Sequence, residues 1–104
     1  MKKPVTINAL QAHVKAVDYK PDQHHEVVLK LFEEVGELSV EMRKVHQLGL
    51  TEQNKQNVKY ELYDVIHYVV HIANLYGIDL EEAILAKDAI NQVRYKEQRG
   101  ESND

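Results

Sequence analysis

A helical period of apolar residues, broken at only a few positions, constrains this chain more than any other feature of its sequence. Pro21, Gly49 and Gly77 each fall between stretches in which apolar side chains recur every three or four residues. Proline and glycine are the residues that most often interrupt helices, and no stretch shows the strict alternation that is typical of strands. We therefore predict an all-α fold, an antiparallel helical bundle of about four helices.

Capping signals indicate where these helices begin and end. Thr6, Thr51 and Asp79 each precede an apolar-periodic stretch, as N-cap residues do. The predicted helices run from Thr6 to about Val17, from Asp22 to about Gln47, from Thr51 to Tyr76 and from Asp79 to near Arg99. Residues 1–104 are predicted to form a single domain with an N-terminal helix and turn (1–24), a motif-bearing core (25–96) and a disordered tail (97–104).

Helix three is apolar around more than half of its circumference. Its apolar residues, at about 100° per residue, cover several sides, and such a helix packs on several neighbours at once. A chain of this size has few other elements with which to bury it. We therefore expect the protein to oligomerise through its central helices, as a homodimer or a homotetramer. The apolar residues concerned are Leu62, Val65, Ile66, Val69, Val70, Ile72, Ala73 and Leu75.

The composition excludes several classes of partner. Thirteen basic against 17 acidic residues give a net charge of −4, and no basic cluster offers the footprint of a nucleic-acid-binding surface. The chain has no cysteine, which excludes disulfides and thiolate metal sites. No apolar run approaches the roughly 18 residues of a membrane span, and polar residues interrupt the first helix, which argues against a signal peptide. We expect a cytoplasmic protein that binds neither nucleic acid nor membranes.

Two pairs of carboxylates lie on neighbouring helices. Glu34 and Glu37 are three residues apart on helix two, and Glu61 and Asp64 have the same spacing on helix three. Each pair therefore stands on one side of its helix. If the pairs face each other, two carboxylates about 5 Å apart repel by roughly 3 kcal/mol at an effective dielectric constant near 20. Divalent cations would relieve this repulsion, and oxygen ligands suit Mg²⁺ or, as a substitute, Mn²⁺. The alternative is an ordinary solvated acidic face.

One side of helix four carries polar residues at helical spacing, which we call the helix-four row. The row consists of Lys87, Asn91, Arg94 and Tyr95. Lysine and arginine neutralise phosphate oxygens, and asparagine donates to them. Such a row alone is more often a solvated surface, but beside an acidic metal site it predicts phosphate binding. The adjoining arc, predicted to face the core, consists of Ala83, Ala86, Ile90 and Val93.

The histidines of helix three allow a competing interpretation. His67 and His71 are four residues apart, and His67 follows Asp64 by three, a pattern compatible with a zinc or di-iron site. However, a di-iron bundle needs Glu-x-x-His on two helices, and the His-Glu-x-x-His signature of zinc proteases is absent. We interpret both histidines as members of the polar arc of helix three.

Four segments carry a family resemblance. They are Lys30–Leu38 (KLFEEVGEL), Glu61–Val65 (ELYDV), Tyr76–Ala83 (YGIDLEEA) and Lys87–Tyr95 (KDAINQVRY). In this order and spacing the chain resembles, over residues 25–96, the MazG-like family of all-α nucleoside triphosphate pyrophosphohydrolases. The resemblance implies an oligomeric helical bundle, often with sites built from two subunits.

The resemblance also implies a reaction and a set of site residues. The reaction is Mg²⁺-dependent hydrolysis of an NTP or dNTP to the monophosphate and pyrophosphate, by metal-activated water attack on the α-phosphate. The alternatives are the same chemistry on phosphoribosyl-ATP, or a non-catalytic helical module for metal binding or interaction. Glu33, implied to hold a further metal or the attacking water, is catalytic together with Glu34. The implied metal ligands are Glu34, Glu37, Glu61 and Asp64, and the implied substrate-binding residues are Lys30, Lys87, Asn91, Arg94 and Tyr95.

Overall fold

Four α-helices make up the part of the chain that the structure, a computed structural model, describes, which is residues 1–100. They are α1 (Ile7–Val17), α2 (His24–Leu48), α3 (Glu52–Leu75) and α4 (Leu80–Gln98). No strand occurs within these residues, and the predicted all-α fold is confirmed. None of the four helices is both long and apolar enough to cross a membrane. Of the predicted tail, Glu97 and Gln98 are helical, while residues 101–104 lie outside the described residues.

The predicted N-cap residues explain three of the four helix starts. The side chains of Thr6, Thr51 and Asp79 each accept a hydrogen bond from the backbone N–H three residues later. Asn54 completes a capping box on α3, because its side chain accepts from the Thr51 N–H at 2.8 Å. These bonds satisfy N–H groups that have no partner inside a helix, so the sequence defines these starts locally.

The start of α2 differs from the prediction. Asp22 does not cap this helix, because Gln23 holds the N-cap position and makes no side-chain cap hydrogen bond. The Gln23 N–H donates instead to the Lys20 carbonyl at 3.0 Å, which places Asp22 inside a turn. The helix ends follow the glycines more closely. Gly49 and Gly77 take positive φ angles of 79° and 64°, a conformation that favours glycine after a helix.

The core of the described chain lies between α1 and α3. Leu10 and Val14 of α1 are buried against Val70 of α3, and Ile7 and Leu80 pack against this group. Ile7, Leu10 and Val14 lie three and four residues apart, which is the spacing of a single face of α1. This small core fixes α1 to the C-terminal part of α3, around Val70, and anchors the first residue of α4.

A polar network ties the turn between α3 and α4 to α1. The Gln11 amide donates to Asn74 Oδ1 at 3.1 Å and to the Ile78 carbonyl at 2.8 Å. The Gln11 amide oxygen accepts from the Leu80 N–H at 2.8 Å, and the Asn74 amide donates to the Gln11 carbonyl at 3.0 Å. The amide nitrogen and the amide oxygen of Gln11 therefore both form hydrogen bonds at the start of α4.

The surface of the single chain is larger than that of a folded monomer of its size. The accessible surface is 7869 Å², whereas about 6,000 Å² is expected at this mass. The radius of gyration is 17.3 Å, against about 13 Å for a compact domain of this length. Many large apolar side chains are exposed, including several of the central helices. Examples on α2 and α3 are Phe32, Val35, Leu62, Ile66 and Val69, all exposed by 42% or more.

The fourth helix packs against α1 and extends away from the core. No residue of α4 is buried. The prediction that its apolar arc faces the core is therefore wrong for the single chain, since Ile90 is 57% and Val93 is 46% exposed. The physical reason is that the contacts anchoring α4 involve its first residues, Leu80 and Glu81.

Candidate functional site

Three carboxylates converge where α2 faces α3. Glu34 of α2 and Glu61 and Asp64 of α3 each offer one oxygen, and these oxygens all lie within 4.8 Å of one another. The geometry follows from the sequence, because spacing of three residues places Glu61 and Asp64 on one side of α3, and α2 and α3 form the most extensive helix contact of the described chain. We call these three residues the carboxylate cluster.

The cluster contains carboxylate oxygens whose hydrogen-bonding capacity is unused. Glu34 Oε2 and Glu61 Oε2 are buried and have no hydrogen-bond partner. A buried acceptor without a partner loses its hydration energy without compensation. The arrangement is therefore costly unless a proton or a cation completes it.

Burial and mutual repulsion shift the titration of the cluster. Loss of hydration, the contact with Glu61 and the charges of Glu37 and Asp64 raise the pKa of Glu34 to about 7 from its ordinary value of 4.5. Loss of hydration, together with the charges of Glu37 and Asp64, raises the pKa of Glu61, although the contact with Glu34 opposes this shift. Glu34 and Glu61 are therefore harder to ionise than ordinary glutamates.

The donor set of the cluster fits a hard divalent cation. All three groups offer carboxylate oxygens, which are the ligands that Mg²⁺ and Mn²⁺ prefer. The two unpartnered Oε2 atoms supply the unused acceptors that such an ion needs. Three ligands also leave room in an octahedral shell for water and phosphate oxygens.

The two remaining acids of the predicted site lie at the edge of the cluster. Glu37 is exposed and does not belong to the group within 4.8 Å, but its charge raises the pKa of both Glu34 and Glu61. Glu33 is also exposed, and its Oε2 lies 3.1 Å from the Lys30 ammonium. The metal-binding role of Glu37 and the catalytic role of Glu33 stay predictions.

The helix-four row does not join the cluster within one chain. In the described chain, α4 packs mainly against α1. It makes no contact of comparable extent with α2 or α3. Lys87, Arg94 and Tyr95 are exposed, and Asn91 is half-buried. If these residues bind substrate at the carboxylates, they must reach a cluster that another copy of the chain provides.

A cavity of about 240 Å³ adjoins the cluster on the side of the α2 N-terminus. Lys30 lies one helical turn before Glu34, and Tyr68 one turn after Asp64, so cavity and cluster share the groove between α2 and α3. Burial, with smaller contributions from the charges of Asp18, Glu34 and Asp64, raises the pKa of the Tyr68 phenol. The residues that line the cavity are Lys20, Gln23, Glu26, Val27, Lys30, Tyr68 and His71.

A second group of titratable side chains lies beside this cavity, with His71 in the cavity lining, and was not anticipated from the sequence. His67 Nε2 lies 2.8 Å from Asp18 Oδ2, and His71 Nδ1 lies 3.5 Å from the same oxygen. His71 is fully buried, so its assignment to the polar arc of α3 is wrong. The i, i+4 histidine pair was the available signal, but its acidic partner is 49 residues away in the chain. We call Asp18, His67 and His71 the Asp18 cluster.

Comparison with known proteins identifies the family of the chain. Residues 22–94, well over half of the chain, match the family model of the MazG nucleotide pyrophosphohydrolase domain. The chain belongs to the MazG family. The matched range contains the carboxylate cluster and, of the helix-four row, Lys87, Asn91 and Arg94. This MazG domain is therefore a nucleotide pyrophosphohydrolase, as the resemblance implied.

Individual relatives agree with the family assignment. This MazG domain is 35% identical over 94 residues to the dATP/dGTP diphosphohydrolase of Cyanophage S-2L, over 88% of this chain and 78% of that protein. It is also similar to two crystal structures of iMazG from Vibrio DAT 722. The Ctag-iMazG form superposes with a TM-score of 0.72 at 39% identity, covering 85% of this chain and 99% of that one. The Ntag-iMazG form gives 0.73 at 40% identity, covering 88% and 98%.

Proposed function

We propose that this MazG domain hydrolyses nucleoside triphosphates to the monophosphate and pyrophosphate in a reaction that requires Mg²⁺, for which Mn²⁺ can substitute. The observation that supports this most is the convergence of Glu34, Glu61 and Asp64, with two of their oxygens buried and unpartnered. Such a set of oxygen donors is costly by itself and becomes favourable when a cation with phosphate ligands completes it.

Different residues of the chain would have different roles in the reaction. Glu34, Glu61 and Asp64, with Glu37 beside them, would hold the metal. When bound, Mg²⁺ supplies positive charge that polarises the phosphoryl oxygens and lowers the pKa of a bound water. Glu33 and Glu34 would orient the water that attacks the α-phosphorus, so that the bond to the bridging oxygen breaks and pyrophosphate leaves.

A second copy of the chain is part of this proposal. The accessible surface exceeds that of a compact monomer by roughly 1,800 Å² per chain, by the same scaling, and obligate dimers bury about 2,000–5,000 Å² in total. The exposed apolar side chains of α2, α3 and α4 supply the surface. Association would also bring a helix-four row to a carboxylate cluster, where Lys87, Asn91 and Arg94 would bind phosphate oxygens.

Purine deoxynucleotides are the first substrates to test. The Cyanophage S-2L relative is, by its name, a dATP/dGTP diphosphohydrolase. The test is release of pyrophosphate from a panel of the common NTPs and dNTPs and of phosphoribosyl-ATP, each with Mg²⁺ and with EDTA. We expect Mg²⁺-dependent release from at least one deoxynucleotide. Release from phosphoribosyl-ATP alone would favour the alternative substrate, and no release from any compound would contradict the proposal.

The titration of Glu34 predicts how pH affects stability without metal. Because the folded-state pKa is about 7 and the ordinary value 4.5, the folded protein holds a proton that the unfolded chain releases. This contribution to stability is fully present below the unfolded pKa and is lost as pH rises through the folded one. We therefore expect the contribution of Glu34 to the melting temperature in EDTA to fall as the pH rises from 4.5 to about 7.

Metal should reverse this pH dependence. Ionised carboxylates bind the cation and protons compete with it, so the rise in melting temperature on adding Mg²⁺ should grow as the pH increases from about 5 to about 8. Glu34→Gln is the matched variant, because it removes the titration of Glu34 and should show a smaller falling component in EDTA than wild type. Identical profiles of wild type and Glu34→Gln in EDTA would contradict the assignment.

The helix-four row predicts a loss of substrate affinity. Arg94→Ala is expected to raise KM about tenfold, because a charge-assisted hydrogen bond to phosphate contributes about 1.5–3 kcal/mol. Steady-state kinetics of pyrophosphate release measure the change. Lys59→Ala, which removes an exposed cation from α3, serves as the control and should leave KM unchanged. An unchanged KM for Arg94→Ala would remove this residue from the proposed site.

A further inference from the structure

The connection between α1 and α2 is held to α3 at two points that lie two residues apart. At the first, Asp18 accepts from His67 Nε2 at 2.8 Å and faces His71 Nδ1 at 3.5 Å. At the second, the backbone N–H of Lys20 donates to His71 Nε2 at 3.3 Å. His71 is fully buried, and both of its ring nitrogens face the connection from inside the protein.

The protonation of His71 follows from these partners. Because Nε2 accepts from the Lys20 N–H, that nitrogen carries no proton, and the proton of the neutral ring lies on Nδ1, which faces Asp18. Burial lowers the pKa of His71 and favours this neutral form. A metal ion at the Asp18 cluster would need Nδ1 unprotonated, and metal-bound histidines donate their other N–H rather than accept. The Asp18 cluster is therefore better suited to holding the connection against α3 than to binding a metal ion.

Other contacts already fix α1 to α3. Leu10 and Val14 bury themselves against Val70, and Gln11 shares two hydrogen bonds with Asn74. The Asp18 cluster lies beyond these contacts, at the last turn of α1, and its particular effect is on residues 18–23. Weakening it should therefore loosen the connection while the helices stay packed.

That connection forms one wall of the cavity beside the carboxylate cluster. Lys20 and Gln23 line the cavity on the side of the connection, and Tyr68 and His71 line it on the side of α3. The volume of about 240 Å³ is below the range of about 300–1,000 Å³ of whole-ligand pockets. The cavity therefore suits one part of a nucleotide whose phosphates lie at the carboxylates.

The lining favours the nucleoside part over the phosphates. The Lys20 ammonium lies 3.6 Å from Asp18 Oδ1, and the Lys30 ammonium 3.1 Å from Glu33 Oε2, so both cations at the cavity already have carboxylate partners. The side chains of Val27, Gln23 and Tyr68 offer apolar surface, an amide and a phenol ring. This combination suits the flat face and polar edge of a nucleobase.

We propose that Asp18, His67 and His71 are positioning residues that hold residues 18–23 as a wall of the nucleoside subsite. They set the affinity for the nucleoside half of the substrate without touching the reacting phosphate. The proposal rests on the proposed function, since it takes the carboxylate cluster as the phosphate end of the site.

Two substitutions of His71 separate positioning from simple structural support. His71→Phe fills the same space but cannot accept from the Lys20 N–H. His71→Gln places an amide oxygen near the position of Nε2 and can restore that bond. His13→Phe removes a half-buried histidine of α1 and is the matched control. Asp18→Ala is the second variant, because Asp18 is only half-buried and its loss should leave the chain folded even if His71→Phe does not fold.

Binding of two ligands in the presence of Mg²⁺ gives the decisive readout, measured by calorimetry on the full chain. The first is a deoxynucleoside triphosphate with a non-hydrolysable α,β bridge, and the second is inorganic triphosphate, which has no nucleoside. We expect His71→Phe and Asp18→Ala to weaken nucleotide binding about tenfold and inorganic triphosphate binding by less than about twofold. His71→Gln should recover most of the nucleotide affinity, and His13→Phe should match wild type.

Two results would overturn the proposal. One is unchanged nucleotide affinity in folded His71→Phe and Asp18→Ala, and the other is an equal loss for both ligands. Failure of the proposed function is a separate observation, because it is absence of pyrophosphate release by wild type, whereas this test compares binding and needs no turnover. In the active enzyme the same variants should raise KM and change kcat by less than about threefold.

Discussion

Glu61→Gln is expected to lower kcat/KM for pyrophosphate release about a thousandfold or more while raising the melting temperature of the metal-free protein. The substitution removes a carboxylate that would hold the metal, and loss of such a charged contact to the transition state typically costs several powers of ten in rate. The same change removes a carboxyl group whose pKa is raised by burial and by the charges of Glu37 and Asp64. A neutral amide at this position can also donate to Glu34.

The opposite signs of the two effects make this test strict. Pyrophosphate release with saturating Mg²⁺ measures activity, and thermal unfolding in EDTA measures stability. Glu97→Gln makes the same chemical change on the exposed surface of α4 and should alter neither quantity. Activity of Glu61→Gln within about threefold of wild type would remove Glu61 from the metal site. A lower melting temperature in EDTA would show that repulsion between the carboxylates of the cluster does not limit the stability of the metal-free protein.

Ile66→Asp is expected to dissociate the proposed oligomer and to abolish activity with all three carboxylates of the cluster intact. Ile66 is 45% exposed in the single chain and lies between Leu62 and Val69, which are 48% and 42% exposed. A charge placed within such an apolar contact must be desolvated without a partner, which costs several kcal/mol. Sedimentation velocity measures the assembly, and pyrophosphate release measures the consequence for the site.

Two controls separate assembly from folding in that experiment. Circular dichroism should show that Ile66→Asp stays helical, and Gln53→Asp adds the same charge to the exposed start of α3 without changing the sedimentation coefficient. A wild-type chain that sediments as a monomer would contradict the proposed oligomer. A monomeric Ile66→Asp that retains full activity would show that one chain suffices for catalysis and that no helix-four row from another copy is needed.

Local signals in the sequence predicted much of the fold. Thr6, Thr51 and Asp79 define helix starts through bonds that span three residues, so the sequence specifies them without knowledge of the tertiary structure. The meeting of Glu34 with Glu61 and Asp64 was also predictable. It needs only helical spacing and an antiparallel contact between consecutive long helices.

The sequence could not predict contacts that depend on how α1 crosses α3. His71 has the polarity of a surface residue, yet it is fully buried because Asp18 and the Lys20 N–H meet it from a distant part of the chain. Periodicity also fails to tell which chain covers an apolar arc. Ile90 and Val93 repeat as core residues do, but no helix of the described chain covers them.

The direction in which α4 leaves the protein is set by the amide of Gln11. Because this side chain bonds the end of α3, the turn at Ile78 and the backbone of Leu80 at once, the joint at the base of α4 has little freedom to rotate. An arm that is rigid at its base loses little conformational entropy when it docks. Gln11 would therefore lower the entropic cost of docking α4 on another copy of the chain, although it lies on α1 and not among the α4 side chains that would make the contact.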